Sequence, residues 1–462
     1  MALMFSSSRS SYEDNYTQAR AATLAHLRRE SLDVYNRLHS IAEDISFVET
    51  VRRTYPDLPI LPNLRCGGWY VNPSLAHQDA AYFKSTDGHF NNWAFNLRRP
   101  NLHLLSIATQ DSGFILVDST RAGKRMPDAL SKTVPIWCAV INRAVKKAFE
   151  KPSTWDEGLY CPPGSVSPQE CSQIESRLDD WATSLLGSSY TLLNLPYPLR
   201  PLWITPSTSI FPSLPTPSEG SFLPIVCVSA SKQIQEGLER RSSGFSYVQG
   251  SGDDHELWGE GLTPEIFWEN KEVLLRADRT ELSDVVKRLI GRQGIRPPID
   301  WNVPPTPIER VGGRLLICST SNVPCDFPIH VPGVEGRVSY VVVSEHGVPL
   351  PVDRKDILAL ELPSGKKGQI HFLQHVLPEA IPFIKKSLAD DANLDGGSTG
   401  MRVNKQSIAK RLQWIISSRP EANPSRATLK RVNEYLLTPP DLRRRISGGH
   451  NTDRIADQRE DL

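Results

Sequence analysis

Two short apolar runs, Leu102–Ile107 and Phe114–Val117, separated by the turn Gln110-Asp111-Ser112-Gly113, constrain this chain more than any other feature. Runs of this length, bounded by turn residues, read as strands buried on both faces, an environment that an α/β fold supplies. The second run ends in Asp118-Ser119-Thr120-Arg121-Ala122-Gly123-Lys124, at a strand's C-terminal end, where α/β folds gather their ligands. A helix then starts near Pro135, a favoured first helical residue, and buries Ile136, Trp137, Val140, Ile141 and Val145. Around the runs lie Lys84, Ser85, Thr86, Asp87, His89, Arg98, Arg99, Asn101, Asp128, Lys132 and Thr133. Phosphate binding needs short hydroxyls, backbone N–H groups, a glycine for close approach and Lys or Arg for charge, and this stretch has all four. The GxxxxGK[ST] spacing of a P-loop is absent. By residue type alone the stretch fits a phosphate or nucleotide site, or a surface network of ion pairs.

A chain of 462 residues exceeds one ordinary core, so two domains are expected. The composition, 39% hydrophobic and 23% charged, is that of a soluble globular protein, and no run of about 18 apolar residues spans a membrane. The opening run MALMF is too short for a signal peptide and acidic residues soon follow, so a cytoplasmic location is expected. The cysteines are scattered, without a C-x-x-C pair, and read as reduced thiols rather than a zinc site or a disulfide framework. A net charge of +1 leaves local charge to decide on a nucleic-acid partner.

Residues 1–15 are Ser-rich and read as frayed. Leu24, Leu27, Leu38, Ile41, Ile45 and Val48 recur at helical spacing, giving one long amphipathic packing helix over Tyr16–Val51. Arg65-Cys66-Gly67-Gly68-Trp69-Tyr70 offers a tight turn and two rings able to stack. Residues 151–166 read as a linker, and Ser167-Pro168-Gln169-Glu170 as a capping box. The helix it opens carries Cys171, Ile174, Leu178, Trp181 and Leu185 on one face and ends at Gly187. Cys171 and Arg177 match the C-x5-R spacing of cysteine phosphatases, but that motif needs a loop after a strand, and these residues sit in a helix. The proline-rich segment Leu195–Pro224 reads as an extended connector, neither helix nor central strand. A strand at Ile225–Ser229 and a short helix through Gln233–Leu238 follow.

A second polar cluster runs from Phe245 to Trp258, with Gln249–Glu256 at its centre. Asp253 and Asp254 suit a Mg²⁺ held partly through substrate phosphates, and His255 can carry a proton. The same residues equally suit an N-cap and acidic first turn. Thr263-Pro264 opens another helix, and Thr280–Ile290 is a helix stopped by Gly291. Prolines 297, 298, 304 and 305 mark a domain boundary. Beyond it, strands are expected at Arg314–Ile317, Val338–Val343 and Ile357–Leu362, with helices at Pro378–Leu388, Asn404–Ser418 and Ser425–Leu437. Arg402–Arg445 is rich in Lys and Arg, among them Lys405, Lys410, Arg411, Arg426, Lys430 and Arg431. Such a patch neutralises phosphates, although two exposed helix faces look similar.

The blocks CGGWY, AYFKSTDGH, NLHLL, VDSTRAGKRMPDALSKTVPIWCAVIN, YVQG..DDHE.W..GLTP..FW and RLQWI..S.P.ANPSRATL occur in that order. In these blocks the chain resembles the initiator tRNA phosphoribosyl transferase family over nearly its whole length. The resemblance implies transfer of 5-phosphoribose from phosphoribosyl pyrophosphate (PRPP) to the ribose 2′-hydroxyl of adenosine 64 in initiator tRNA. That modification would mark the tRNA for initiation and against elongation. It also implies an α/β protein: a mixed α+β catalytic region over residues 12–300 and a dual-specificity-phosphatase-like domain over 301–440; the polar composition from Ile446 on reads as a disordered tail, taken as 441–462. In the family a strand, a Cys-led loop and an apolar helix lie between the helices ending near Leu388 and starting near Asn404. Here residues 389–403 hold no Cys, apolar strand or helical period, so that central element is expected to be missing, with strand edges left unpaired.

Under this resemblance Lys84, Arg98, Arg99, Arg121, Lys124 and Lys132 would neutralise the phosphates, and Ser85, Thr86, Ser119, Thr120, Asn101 and Gln249 would add hydrogen bonds. Asp118, Asp253 and Asp254 are candidates for Mg²⁺ or the ribose hydroxyls, and Asp87, His89 or His255 for the base. The basic C-terminal helices would hold tRNA, and a monomer without membrane contacts is expected. Two other classes stay open: a catalytically impaired tRNA-binding protein of the same family, and a phosphatase-like hydrolase.

Overall fold

The computed structural model describes residues 7–64, 66–79, 81–120, 123–215, 221–234, 238–293, 304–319, 331, 333–334, 338–345, 355–390, 403–439 and 442–443. The chain divides into two compact units between Ile295 and Arg296. The first begins with α1 (Ser7–Leu32) and α2 (Val34–Thr54). Helix therefore begins where fraying was expected, and the single long helix is broken at Asp33. There the backbone is extended and the carboxylate accepts from the Asn36 N–H at 2.9 Å, which starts a new helix.

Next come β1 (Ile60–Pro62), α3 (Leu104–Gln110), β2 (Phe114–Asp118), α4 (Val134–Ala148), α5 (Pro168–Glu175), α6 (Leu178–Leu186), β3 (Leu199–Ile204) and β4 (Leu223–Ser229). The four strands make one parallel sheet in the order β1-β2-β4-β3. Side chains alternate across it. Leu61, Phe114, Leu116, Ile225 and Cys227 pack on one side with residues of α3 to α6. Ile60, Ile115, Val117, Val226 and Val228 pack on the other with α2 and three later helices, α7 (Pro264–Glu269), α8 (Lys271–Arg276) and α9 (Leu282–Gln293). A parallel sheet covered on both faces is the α/β arrangement expected from the apolar runs. Before α7 lies the antiparallel hairpin β5 (Leu238–Arg240) and β6 (Ser246–Val248).

Four local readings are corrected. Leu102–Ile107 is not a strand: Leu104, Leu105, Ile107 and Ala108 are buried at helical spacing in α3. The proline-rich connector contains β3, tolerated because Pro201 sits on an edge strand where a missing N–H costs least. Gln233–Ile234 is not helical and Leu238 begins β5; residues 235–237 lie outside the described ones. The helix after Ser167 is two helices, broken between Glu175 and Leu178.

The second unit contains β7 (Thr306–Pro307) antiparallel to β8 (Leu316–Ile317), and β9 (Tyr340–Ser344) parallel to β10 (Ile357–Glu361). Then follow α10 (Gly365–His371), a π-helical turn (Phe372–Val376), α11 (Leu377–Asp390), α12 (Lys405–Ser418) and α13 (Arg426–Leu437). Leu360, Val376 and Ala380 form a small core with Val341, Val343, Leu358, Leu362 and Phe372. Every residue of β9 stays half-buried, and among the described residues its sheet has two strands. Of the interval expected to lack a central element, residues 391–402 lie outside the described ones, as does the tail from residue 444.

Candidate phosphate-binding site

All four strands run parallel, so their C-terminal ends share one edge, and β2 and β4 end there side by side at Asp118 and Ser229. Asp118 organises that edge rather than facing outward. Its carboxylate is fully buried and accepts from Asn63 Nδ2 at 2.9 Å, Cys66 Sγ at 2.9 Å and the Ser119 N–H at 2.8 Å. Asn63 in turn accepts from the Phe83 N–H at 2.8 Å, which ties the Lys84–His89 segment to the strand ends. Gly67 packs so closely against Val117 that an added Cβ would stand 2.3 Å from its carbonyl oxygen, so only glycine fits. The expected tight turn in Cys66–Tyr70 is present, but Trp69 and Tyr70 are buried, not open for stacking.

The two polar clusters of the sequence meet. Gln249 is buried, and its Nε2 donates to the Lys124 carbonyl at 2.7 Å. Gly123, just before Lys124, has φ +86° with open space where a Cβ would sit. Arg121 lies outside the described residues. Thr120 is buried and Ser119 fully so, its hydroxyl 2.6 Å from that of Ser231.

Asp128 is a charge hub. It takes Lys124 Nζ at 2.5 Å, Lys132 Nζ at 3.0 Å and His89 Nε2 at 3.6 Å. Burial pushes its carboxyl up, but hydrogen bonds and charge from Lys124 and Lys132 outweigh that and hold it below the ordinary range. Lys132 also reaches Glu170 at 3.2 Å, and Glu170 accepts from Trp93 Nε1 at 2.9 Å. The expected capping box is thus half made: Ser167 accepts from the Glu170 N–H, while the Glu170 side chain serves the site.

Asp87 is paired in two bonds of 2.7 Å with Arg99, and Asn101 pins the Tyr82 backbone through both amide atoms at 3.0 Å. Lys84, Thr86 and His89 are exposed, and Ser85 and Arg98 are half-buried. In the second cluster the Asp253 carbonyl accepts from Trp258 Nε1 at 3.2 Å. Asp254 is exposed with φ +48° and stands at the N-cap position of the short turn His255–Leu257, with Glu256 in that turn, but it makes no side-chain cap bond. His255 leans on Trp69 at 5.7 Å between ring centroids. Half-buried Arg37 is pushed down by desolvation, with the nearby charges of Asp253 and Asp254 pulling it back up.

Among the described residues no group of three or more His, Cys, Asp or Glu side chains is placed to hold a metal. The exposed Asp254 with its neighbour Asp253 fits a Mg²⁺ delivered by a phosphorylated ligand, which needs only one or two protein carboxylates. It does not make a resident cage.

The sequence reading missed Asp44 and Ser231, and it gave Tyr70 and Tyr247 no part in the network they form with them. Asp44 sits on the buried face of α2, and its Oδ2 accepts from Ser231 Oγ and its Oδ1 from the Tyr247 hydroxyl, both at 2.6 Å. The available signal was Asn36, Ser40 and Asp44, polar residues four apart on a face that otherwise buries Leu38, Ile41, Ile45 and Val48.

In the second unit Asn404 caps α12, and Lys405, Lys410, Arg411, Arg426 and Lys430 are exposed on α12 and α13. Arg431 is half-buried and paired with Glu434 at 2.7 Å. Cys171 lies inside α5, so its match to the phosphatase motif is accidental.

An α/β domain with hydroxyls, lysines and a glycine at its strand ends has the makings of an anion-binding enzyme. The chain belongs to the Rit1 family: the Rit1 N-terminal domain matches residues 27–291 and the Rit1 DUSP-like domain residues 392–436. It is 36% identical over 448 residues to an uncharacterised Schizosaccharomyces pombe protein, covering 87% of this chain and 94% of that one. It is also 41% identical over 269 residues to the Saccharomyces cerevisiae tRNA A64-2′-O-ribosylphosphate transferase, covering 54% of this chain and 52% of that enzyme. No solved structure matches it. No helix among the described residues is long and apolar enough to cross a membrane.

Proposed function

We propose that this protein transfers 5-phosphoribosyl from PRPP to the 2′-hydroxyl of the adenosine 64 ribose in initiator tRNA, acting as a cytoplasmic monomer. The likeness to the yeast transferase named for this product supports the chemistry. The observation that carries the site assignment is the meeting of Lys84–His89, loop 118–124, Asp128 and Gln249 at one edge of the sheet.

In this reading Lys84 and Lys124 neutralise the phosphates, and loop 118–124 offers N–H and hydroxyl donors, with Arg121 added on sequence grounds. Displacement at the anomeric carbon breaks its bond to pyrophosphate and forms the bond to the 2′-oxygen, whose proton must leave. His89 is the base we favour. It is half exposed, and Asp128 at Nε2 would steady the imidazolium once the other nitrogen has taken the proton. Asp87 and Asp118 have their carboxylates engaged by Arg99 and by Asn63 and Cys66, which favours a positioning role for both. Mg²⁺, held by Asp254 and Asp253 with the substrate phosphates, would supply charge neutralisation of the leaving group. The exposed cations of α12 and α13 would hold the tRNA backbone.

The test is transfer of label from phosphoribosyl-labelled PRPP to initiator tRNA, with elongator tRNA as competitor. Lys124→Ala should lose transfer at least about tenfold. Unchanged transfer by this variant would remove the loop assignment. Retention of tRNA without transfer by the unaltered protein would leave a binding protein only.

A further inference from the structure

Beneath the strand ends, four distant segments converge on one carboxyl. Asp44 of α2 is buried, and the bonds from Ser231 Oγ and the Tyr247 hydroxyl complete its two oxygens. Ser231 Oγ is 2.6 Å from Ser119 Oγ and 3.5 Å from the Tyr70 hydroxyl, which accepts from the Gly252 N–H at 2.8 Å. The Tyr247 hydroxyl accepts from the Lys232 N–H at 2.8 Å. An unbroken run of short polar contacts thus leads from a helix core to the residue after Asp118. A buried carboxyl is costly where apolar residues would pack as well, which points to a role beyond stability.

The chemistry of the run gives it two polarities, because each hydroxyl has one proton to donate. With Asp44 protonated, its O–H donates to Ser231, Ser231 donates to Ser119, and the Ser119 proton is turned away from Ser231. With Asp44 ionised, Ser231 donates to the carboxylate, Ser119 donates to Ser231, and the Ser119 proton is held inward.

We propose that Asp44 is a positioning residue that acts through Ser231 on Ser119, and that its protonated form sets the Ser119–Thr120 end of β2 as a donor surface for the phosphates of PRPP. This rests on the phosphoribosyl-transfer reading above. Burial raises the Asp44 carboxyl to about 8, against hydrogen bonds from Ser231, Tyr247 and the Lys232 N–H, with Glu43 raising it further. The charged and titratable groups around it are Glu43 on its own helix, Tyr70 and Tyr247 across from it, and Arg241. Arg241 is paired with Glu43 and lies over the Tyr247 ring at 4.5 Å. Both tyrosines are pushed far above their ordinary value, first by burial and next by Asp44, so they keep their protons when Asp44 ionises.

The experiment measures the Kd of PRPP by calorimetry and its KM in label transfer, from about pH 7 to about pH 9.5, on the full chain. For the unaltered protein both constants should rise about tenfold across this range as the donor surface is lost. In Asp44→Asn the amide donates to Ser231 at every pH, so the ratio of the constants at the two ends should fall to about one. Ser231→Ala cuts the run while leaving Asp44 in place. It should weaken PRPP at the lower pH and also flatten the profile, which covers the case in which Asp44→Asn fails to fold. A wild-type alkaline rise retained in either variant overturns the proposal alone. No binding of PRPP by the unaltered protein overturns it together with the function it rests on.

Discussion

Lys124 and Lys132 both stand on Asp128, yet the fold gives them different tasks, and replacing each by Met separates them. Lys132 is 8% exposed and is shared by Asp128 and Glu170, themselves 12% and 11% exposed, whereas Lys124 is 42% exposed. Removing one partner of a buried pair leaves an uncompensated charge and costs about 3–5 kcal/mol. Asp128 would keep Lys124, and Glu170 would keep the Trp93 N–H, so the lower end, about 3 kcal/mol, is expected for Lys132→Met. At roughly 2–4 °C per kcal/mol for a domain of this size, the midpoint should fall by about 6–12 °C. Lys124→Met breaks a half-exposed pair worth about 0–1 kcal/mol and should move the midpoint by no more than about 4 °C, while weakening PRPP. Thermal unfolding followed by circular dichroism, beside a PRPP titration, reads both. If Lys132→Met melts with the unaltered protein, or Lys124→Met lowers the midpoint by as much as Lys132→Met does, the division of labour around Asp128 is refuted.

Three further outcomes follow from the same contacts. Asp128 is held below the ordinary carboxylate range, so its contribution is full above the unfolded value and is lost as pH falls through the folded one; Asp128→Asn should therefore reduce the loss of midpoint on acidification below about pH 4. Asp44 has the opposite sign: at about 8 the folded state keeps a proton that the unfolded chain releases from its ordinary 3.8, so stability falls between those values as pH rises. Asp44→Asn should flatten that fall in melting curves taken across the range, and an unchanged slope would show that the carboxyl is not the source. Changing Lys405, Lys410, Arg411 and Lys430 together to Ala should lower the salt dependence of initiator tRNA binding by about 0.7–0.9 in log–log slope for each phosphate contact removed. Filter binding at several salt concentrations measures this, and an unaltered slope would put the RNA on another surface.

What could be read from the sequence was what depends on neighbours along the chain. Phe114–Val117 and Ile225–Ser229 are continuous, largely apolar runs, buried at every residue, and the polar end of the first marked the ligand edge. Leu102–Ile107 misled because a short apolar run has too few residues to separate a period of two from one of 3.6; α3 has only seven residues. Proline hid β3, since the penalty that excludes it from a central strand does not apply at an edge.

The site was legible as a list of residue types but not as an arrangement, because the deciding contacts cross long intervals of chain. Glu170 was assigned to its own helix cap and instead neutralises Lys132, and Asp44 was passed over inside a packing helix while it meets Ser231, 187 positions further along the chain. Both errors have one cause. A polar side chain on an apolar face is uninformative until its partner is known, and local patterning names no partner. The rule that follows is narrow: Asn36, Ser40 and Asp44, three polar residues at a spacing that buries all of them, cannot all be satisfied by water. Such a line predicts a buried polar network before its partners are known, and here that network runs to the residue after the last strand position of β2.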